Sequence, residues 1–183
     1  VNSNYINASI TAVSVDDSGA NNNGLSAGVG ITEATGEVYH SWVEKNGNII
    51  KTSIYIDLTG LRSTGAGDII GNNGTSNPCH IGQITAATSG TIFAGVMTCL
   101  EAANAGNTDI DLYSATVGTG AEDVAISTLV ETQLVNNGVL SVDTFNSLTA
   151  YPAADEYLYL VAVGATDADY DAGKFLIELY GTE

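Results

Sequence analysis

Tyr39-His40-Ser41-Trp42-Val43-Glu44-Lys45-Asn46-Gly47-Asn48-Ile49-Ile50-Lys51-Thr52-Ser53-Ile54-Tyr55-Ile56-Asp57-Leu58 is the stretch that decides the fold class. In its second half Ile50, Thr52, Ile54, Ile56 and Leu58 alternate with Lys51, Ser53, Tyr55 and Asp57. A period of two is that of a strand with one buried face. Asn46-Gly47 accepts the positive φ angles of a type I′ turn, so the two halves read as a hairpin. The register it predicts sets Val43 opposite Ile50, Trp42 opposite Lys51 and Tyr39 opposite Ile54.

Outward from this hairpin the same signals recur. Thr91 to Glu101 alternates Ile92, Ala94, Val96, Thr98 and Leu100 against Phe93, Gly95, Met97 and Cys99. Glu156 to Val163 and Gly173 to Tyr180 are further strands, and shorter signals lie at Tyr5 to Val15, Glu37 to Glu44, Asp68 to Gly71, Cys79 to Thr85 and Asp109 to Ala115. Asn-Gly turns recur at Asn23-Gly24, Asn73-Gly74 and Asn137-Gly138. Val124 to Val135 alone carries a helical phase, through Ala125, Leu129 and Thr132, and its β-branched residues argue against it. No repeat and no βαβ alternation is present. The expected fold is all-β, an antiparallel two-sheet sandwich of jelly-roll type with an N-terminal arm. The arm covers residues 1–36, rich in Asn, Ser, Gly and Ala with a loop from Asp17 to Gly30, and the sandwich covers residues 37–183.

Composition excludes whole classes of function. Lys45, Lys51, Arg62 and Lys174 face 21 acidic residues, for a net charge of -17. Such a surface repels phosphate backbones and anionic lipid heads, which argues against nucleic acid and membranes as partners. The longest apolar run, Tyr157 to Ala165, is about half of what a membrane helix needs. The chain reads as soluble, with affinity for cations or basic proteins.

Reactive constellations are scarce. Gly24-Leu25-Ser26-Ala27-Gly28 matches a nucleophile elbow in letters, but Asn-rich sequence precedes it where a hydrophobic strand is needed. His40 and His80 are too few for a metal or triad site, and neither has ligand spacing. Carboxylate pairs such as Asp155-Glu156 are too common among 21 acids to single out a glycosidase pair. No catalytic residue, cofactor or enzymatic activity is expected. Asp167, Asp169 and Asp171 form an alternating acidic triplet, a calcium candidate that lacks the loop glycine of a calcium-binding hand and reads better as a solvated loop. Cys79 and Cys99 would oppose each other across a hairpin turning at Ser89, where a bridge closes a loop of about 20 residues and adds about 3 kcal/mol. Two side-by-side thiols are the alternative. Sequons at Asn7 and Asn73 are expected by chance in so Asn- and Thr-rich a chain.

Lys51-Thr-Ser-Ile-Tyr-Ile-Asp-Leu-Thr-Gly-Leu61, Gly67-Asp-Ile-Ile-Gly71 and Asn77-Pro-Cys-His-Ile-Gly-Gln-Ile-Thr85 carry a resemblance. Asp109-Ile-Asp-Leu-Tyr-Ser114, Glu156-Tyr-Leu-Tyr-Leu160 and Gly173-Lys-Phe-Leu-Ile-Glu-Leu-Tyr-Gly181 extend it over roughly residues 50 to 181. Together they resemble a family of virion structural proteins of tailed phages of marine and freshwater bacteria, cyanophages among them. The resemblance implies a capsid decoration or cement protein on the virion exterior, partnered by the major capsid protein and by itself, often as a trimer. The competing expectation from the residues is a carbohydrate-binding or adhesin module using Trp42, Tyr39, Tyr113, Tyr157 and Tyr159 as sugar platforms.

Overall fold

The computed structural model describes residues 24–34, 38–74, 76–136 and 141–183. Its strands are β1 (Val38–Asn46), β2 (Ile49–Asp57), β3 (Arg62–Ser63), β4 (Asp68–Ile69), β5 (Gly82–Gln83) and β6 (Thr91–Asn104). They continue as β7 (Ile110–Ala115), β8 (Glu131–Val135), β9 (Phe145–Ser147), β10 (Tyr157–Ala162), β11 (Ala168–Asp169) and β12 (Ala172–Thr182). Among the described residues the only α-helices are two single turns, α1 (Val29–Thr32) and α2 (Ala86–Ser89). The protein is all-β, and every strand pair is antiparallel.

One sheet has the order β1-β2-β12-β6-β9 and the other β4-β10-β7-β8, with β5 also on β10. β3 and β11 form a small separate ribbon. Take β2, β4, β6, β7, β8, β9, β10 and β12 in chain order. The first pairs with the last, the second with the seventh, the third with the sixth and the fourth with the fifth. Inward residues of both sheets, Ile54, Ile56, Phe175 and Ile177 from one and Leu112, Leu134, Leu158 and Leu160 from the other, belong to one buried cluster.

The expected hairpin forms with its register shifted. Val43 faces Thr52, Trp42 faces Ser53 and Tyr39 faces Ile56. The two loop residues are therefore Gly47-Asn48, and of these only Gly47 has a positive φ, 61°. Glycine leading a two-residue loop is the type II′ arrangement. Each partner has moved by two positions, which leaves every side chain on its expected face. Ile50, Thr52, Ile54, Ile56 and Leu58 are accordingly all buried. In β6 the alternation breaks: Tyr180 faces Ala94 and Gly181 faces Ile92, so Phe93 is bulged out of the ladder. The extra residue puts Ile92 on the buried side with Gly95, Met97 and Cys99.

Three readings of the sequence are decided or corrected, the first of them left open between helix and strand. Val124 to Val135 is not a helix: Ile126–Thr128 makes one 3-10 turn and β8 follows, pairing with β7 and burying Leu134 and Val135. No hairpin turns at Ser89. Thr85 caps α2 there, its Oγ1 accepting the Thr88 N–H at 3.1 Å, and Gly90 (φ 67°) redirects the chain from one sheet into the other. Cys79 precedes β5 on the β10 sheet whereas Cys99 lies opposite Phe175, so no bridge joins these two buried thiols. The third correction concerns the arm. Residues 24–34, assigned to it from composition, place Leu25, Ile31 and Ala34 in the core cluster.

This segment is tied down through its backbone. Gly28 N–H bonds the His80 carbonyl and Gly30 N–H the Pro78 carbonyl, both at 2.8 Å, while the Gly30 carbonyl accepts from Asn72 N–H. Gly30 is required by close approach, since a Cβ there would lie 2.4 Å from the Cys79 Sγ. Residues 1–23, with the Tyr5 to Val15 strand and the Asn7 sequon, and the Asn137-Gly138 turn lie outside the described residues.

Ile31 is fully buried while Val29, on the same turn, is 45% exposed. Ile31→Ala is expected to cost about 2–5 kcal/mol in denaturant unfolding, and Val29→Ala about 0.5 kcal/mol or less. Equal, small effects would return residues 24–34 to the status of an appended arm.

Candidate interaction face and the cleft beside His80

Because β2, β12 and β6 each bury one face, their remaining residues form a continuous outer surface. The registers align it in rows across the sheet. Phe145, Thr98, Leu176, Tyr55 and His40 make one, and Ser147, Val96, Glu178, Ser53 and Trp42 the next. Ala94, Tyr180, Lys51 and Glu44 form a third. Phe145 is 64% exposed, the bulged Phe93 46% and Trp42 37%, and Leu100 and Ile49 are also exposed. Single exposed apolar residues are ordinary; here several stand around the margin of one face. At the centre Ser53 is fully buried and its Oγ has no hydrogen-bond partner.

The same sheet holds three of the four cationic side chains, Lys45 on β1, Lys51 on β2 and Lys174 on β12. Lys51 pairs with Glu178, Lys45 with Glu183, and Lys174 with Glu101 and, at 3.6 Å, with Asp57. The hydrogen bond to Glu178 raises the Lys51 ammonium above its usual range. Such partly exposed pairs add little to stability. Their effect is to bring this face closer to neutrality than the rest of a strongly acidic chain.

Arg62 is the fourth cation, and it accounts for the acidic triplet. Its guanidinium reaches Asp167 at 2.6 Å and Asp169 at 2.7 Å across the β3–β11 ribbon. Asp171 instead accepts from the Asn104 amide at 2.8 Å. Two of the three carboxylates are thus paired with a fixed positive charge, and among the described residues no three His, Cys, Asp or Glu side chains are grouped to hold a metal. Lys45, Lys51 and Arg62 therefore all have carboxylate partners within the chain.

The backbone bonds from Gly28 and Gly30 draw residues 24–30 alongside Pro78 and His80. A cleft of about 270 Å³ opens there, lined by Leu25, Ser26, His80, Gln83, Thr85, Thr88 and Tyr157. Ser26 of the elbow-like pattern and His80 thus share one site. They do not make a nucleophile. Ser26 is not among the residues with positive φ, so it lacks the strained turn of an elbow. His80 packs edge-on against Tyr157 at 5.0 Å and Tyr159 at 6.4 Å, and its buried Nδ1 has no partner. Burial lowers its pKa, which keeps the imidazole neutral. Among the described residues no carboxylate bonds its Nδ1. His40 stands apart on β1, 6.4 Å from the Tyr55 ring.

The aromatic residues divide sharply. Tyr159 is fully buried and donates to the Val117 carbonyl at 2.7 Å. The Tyr39 hydroxyl is tied to the Leu25 and Ile81 carbonyls. Trp42 belongs to the outer face and Tyr157 to the cleft. Cys79 is unreactive, since burial raises its thiol to about 11. Comparison of the chain with family models, with curated proteins and with solved structures gave no match.

Glu122 is a buried carboxylate with one oxygen, Oε1, that lacks a hydrogen-bond partner. Burial raises its pKa, with the Gly74 N–H acting in the opposite direction. The folded state therefore binds this proton more tightly than the unfolded chain. Stability contributed in acid is lost as pH rises from the unfolded value, about 4.3, through the folded one. Glu122→Gln is expected to melt a few degrees above the native chain at neutral pH, at about 2–4 °C per kcal/mol. Near pH 3 the two should coincide, because both side chains are then neutral. A difference that stays constant with pH would contradict the assignment.

Proposed function

We propose that this chain is a non-enzymatic virion structural protein, a decoration or cement protein that binds the outer head surface of a tailed phage. The observation that carries the reading is the outer face of β1-β2-β12-β6-β9, which presents exposed aromatic residues and two internally paired lysines, Lys51 and Lys174, in a chain of net charge -17. A shell protein approaching that face meets apolar area and compensated charge. On other sides it would meet uncompensated carboxylates, which suit contact with solvent and keep particles apart.

The fold is read as a jelly roll, two sheets facing each other across the shared core. Pairing of first strand with last, second with seventh, third with sixth and fourth with fifth supports this, as the pattern of a four-stranded-pair hairpin rolled on itself. Jelly rolls are used in viral capsids and in lectins. The resemblance over residues 50 to 181 favours the first of these. The partner is the major capsid protein, met through the outer sheet face. Several copies around a symmetry axis, most simply three, convert weak single contacts into firm attachment.

The test is rebinding to phage heads stripped of this protein. Native chain should rebind and raise the temperature at which heads release DNA. Phe145→Asp, and Trp42→Asp with Phe145→Asp, should stay folded and rebind at least tenfold more weakly, roughly the loss expected of a central anchor. Rebinding unchanged by both variants would remove the outer face as the contact. Stripped heads that keep full stability but lose host attachment would replace cement by adhesin.

A further inference from the structure

We propose that the cleft beside His80 binds a small, uncharged, hydroxyl-rich ligand of the sugar class, independently of the contact made by the outer sheet face. Charge selects this chemistry first. The chain carries 21 acidic residues, yet among the described residues no charged side chain lines the cleft. An anion finds no cation there, and a cation finds no carboxylate. What the site offers is neutral hydrogen-bonding capacity beside an aromatic ring.

Each polar group retains a free valence. Gln83 uses its amide N–H on the Asp155 carbonyl at 3.1 Å, which leaves its Oε1 as an acceptor. Thr85 Oγ1 accepts from Thr88 N–H and donates to Thr88 Oγ1 at 3.0 Å, so the Thr88 hydroxyl proton remains to be given. The exposed Ser26 hydroxyl can do either. His80 completes the set. Its Nδ1 is buried without a partner, and the ring is among the residues that line the cleft. Hydroxyl groups, which both donate and accept from one atom, answer such a mixed set.

The apolar wall is held in place before any ligand arrives. Tyr157 packs edge-on against His80 at 5.0 Å and covers Gly118, where a Cβ would lie 2.5 Å from the ring. The ring can lie this close to the backbone because residue 118 is a glycine. Buried Leu25 forms the adjoining wall. A rigid ring flanked by uncharged donors and acceptors suits the apolar face and hydroxyl rim of a pyranose.

The probes are glucose, N-acetylglucosamine and the anionic glucuronate, titrated into the isotopically labelled full chain to concentrations on the order of 10 mM. At least one neutral sugar should give saturable amide shifts confined to Ser26, His80, Gln83 and Tyr157, with glucuronate weaker. Gln83→Ala and Thr88→Val, each checked for a native spectrum, should weaken that sugar about fivefold, the worth of one neutral hydrogen bond. Absence of saturable shifts with both neutral sugars overturns the proposal. So does a response centred on Trp42, binding of glucuronate as tight as the neutral sugars, or indifference to both substitutions.

Discussion

The placement of the last strand, β12, between β2 and β6 is the constraint on which the rest of the structure depends. Phe175, Ile177 and Leu179 enter the core between Ile54 and Ile56 on one side and Met97 and Cys99 on the other. Without β12 the first sheet would split into a β1–β2 hairpin and a β6–β9 pair, each with a bare edge. Its pairing partners lie far away in sequence, so the sheet closes only after the whole chain is available. Such long-range topology implies slow folding relative to a hairpin-built sheet of equal size.

The same strand organises the surface. Leu176, Glu178 and Tyr180 face outward from β12 and bridge the rows that run from β6 to β2. Lys174 and Glu178 take their ion-pair partners from neighbouring strands, Glu101 and Asp57 for the first and Lys51 for the second. Placing its lysines here lets an acidic chain keep one face close to neutral. That is the physical basis for reading this face as the contact and the remainder as the solvent side.

Sequence reasoning reached what depends on local period and failed where distance in sequence takes over. The Ile50-to-Leu58 alternation gave the right buried face even with the turn placed one residue early, because the register error was even. In β6 the error was odd. Nothing in Thr91 to Glu101 marks Phe93 as a bulge, which is set by the match of β6 to β12. The Glu131 to Val135 strand was masked by a passable helical phase, although Val130, Thr132 and Val135 carried the β-branched signal. Arg62 neutralising Asp167 and Asp169, and Ser26 sharing a cleft with His80, leave no local trace, since each joins segments brought together only by the ribbon or by the bonds of Gly28 and Gly30. Buried Leu25 and Ile31 were hidden in a stretch whose glycines suggested a loop. Those glycines are what let the backbone approach Cys79 and Pro78 so closely.

The central claim is that this protein lies on a phage head with its outer sheet face against the shell. Cryo-electron microscopy of virions carrying a bulky tag at the loop between β10 and β11, away from that face, tests it most directly. The account predicts tag density at symmetry-related positions over the whole head, pointing to solvent, with the β1-β2-β12-β6-β9 surface buried below. Density restricted to the tail, or a head-bound protein with that sheet face turned outward, would contradict it.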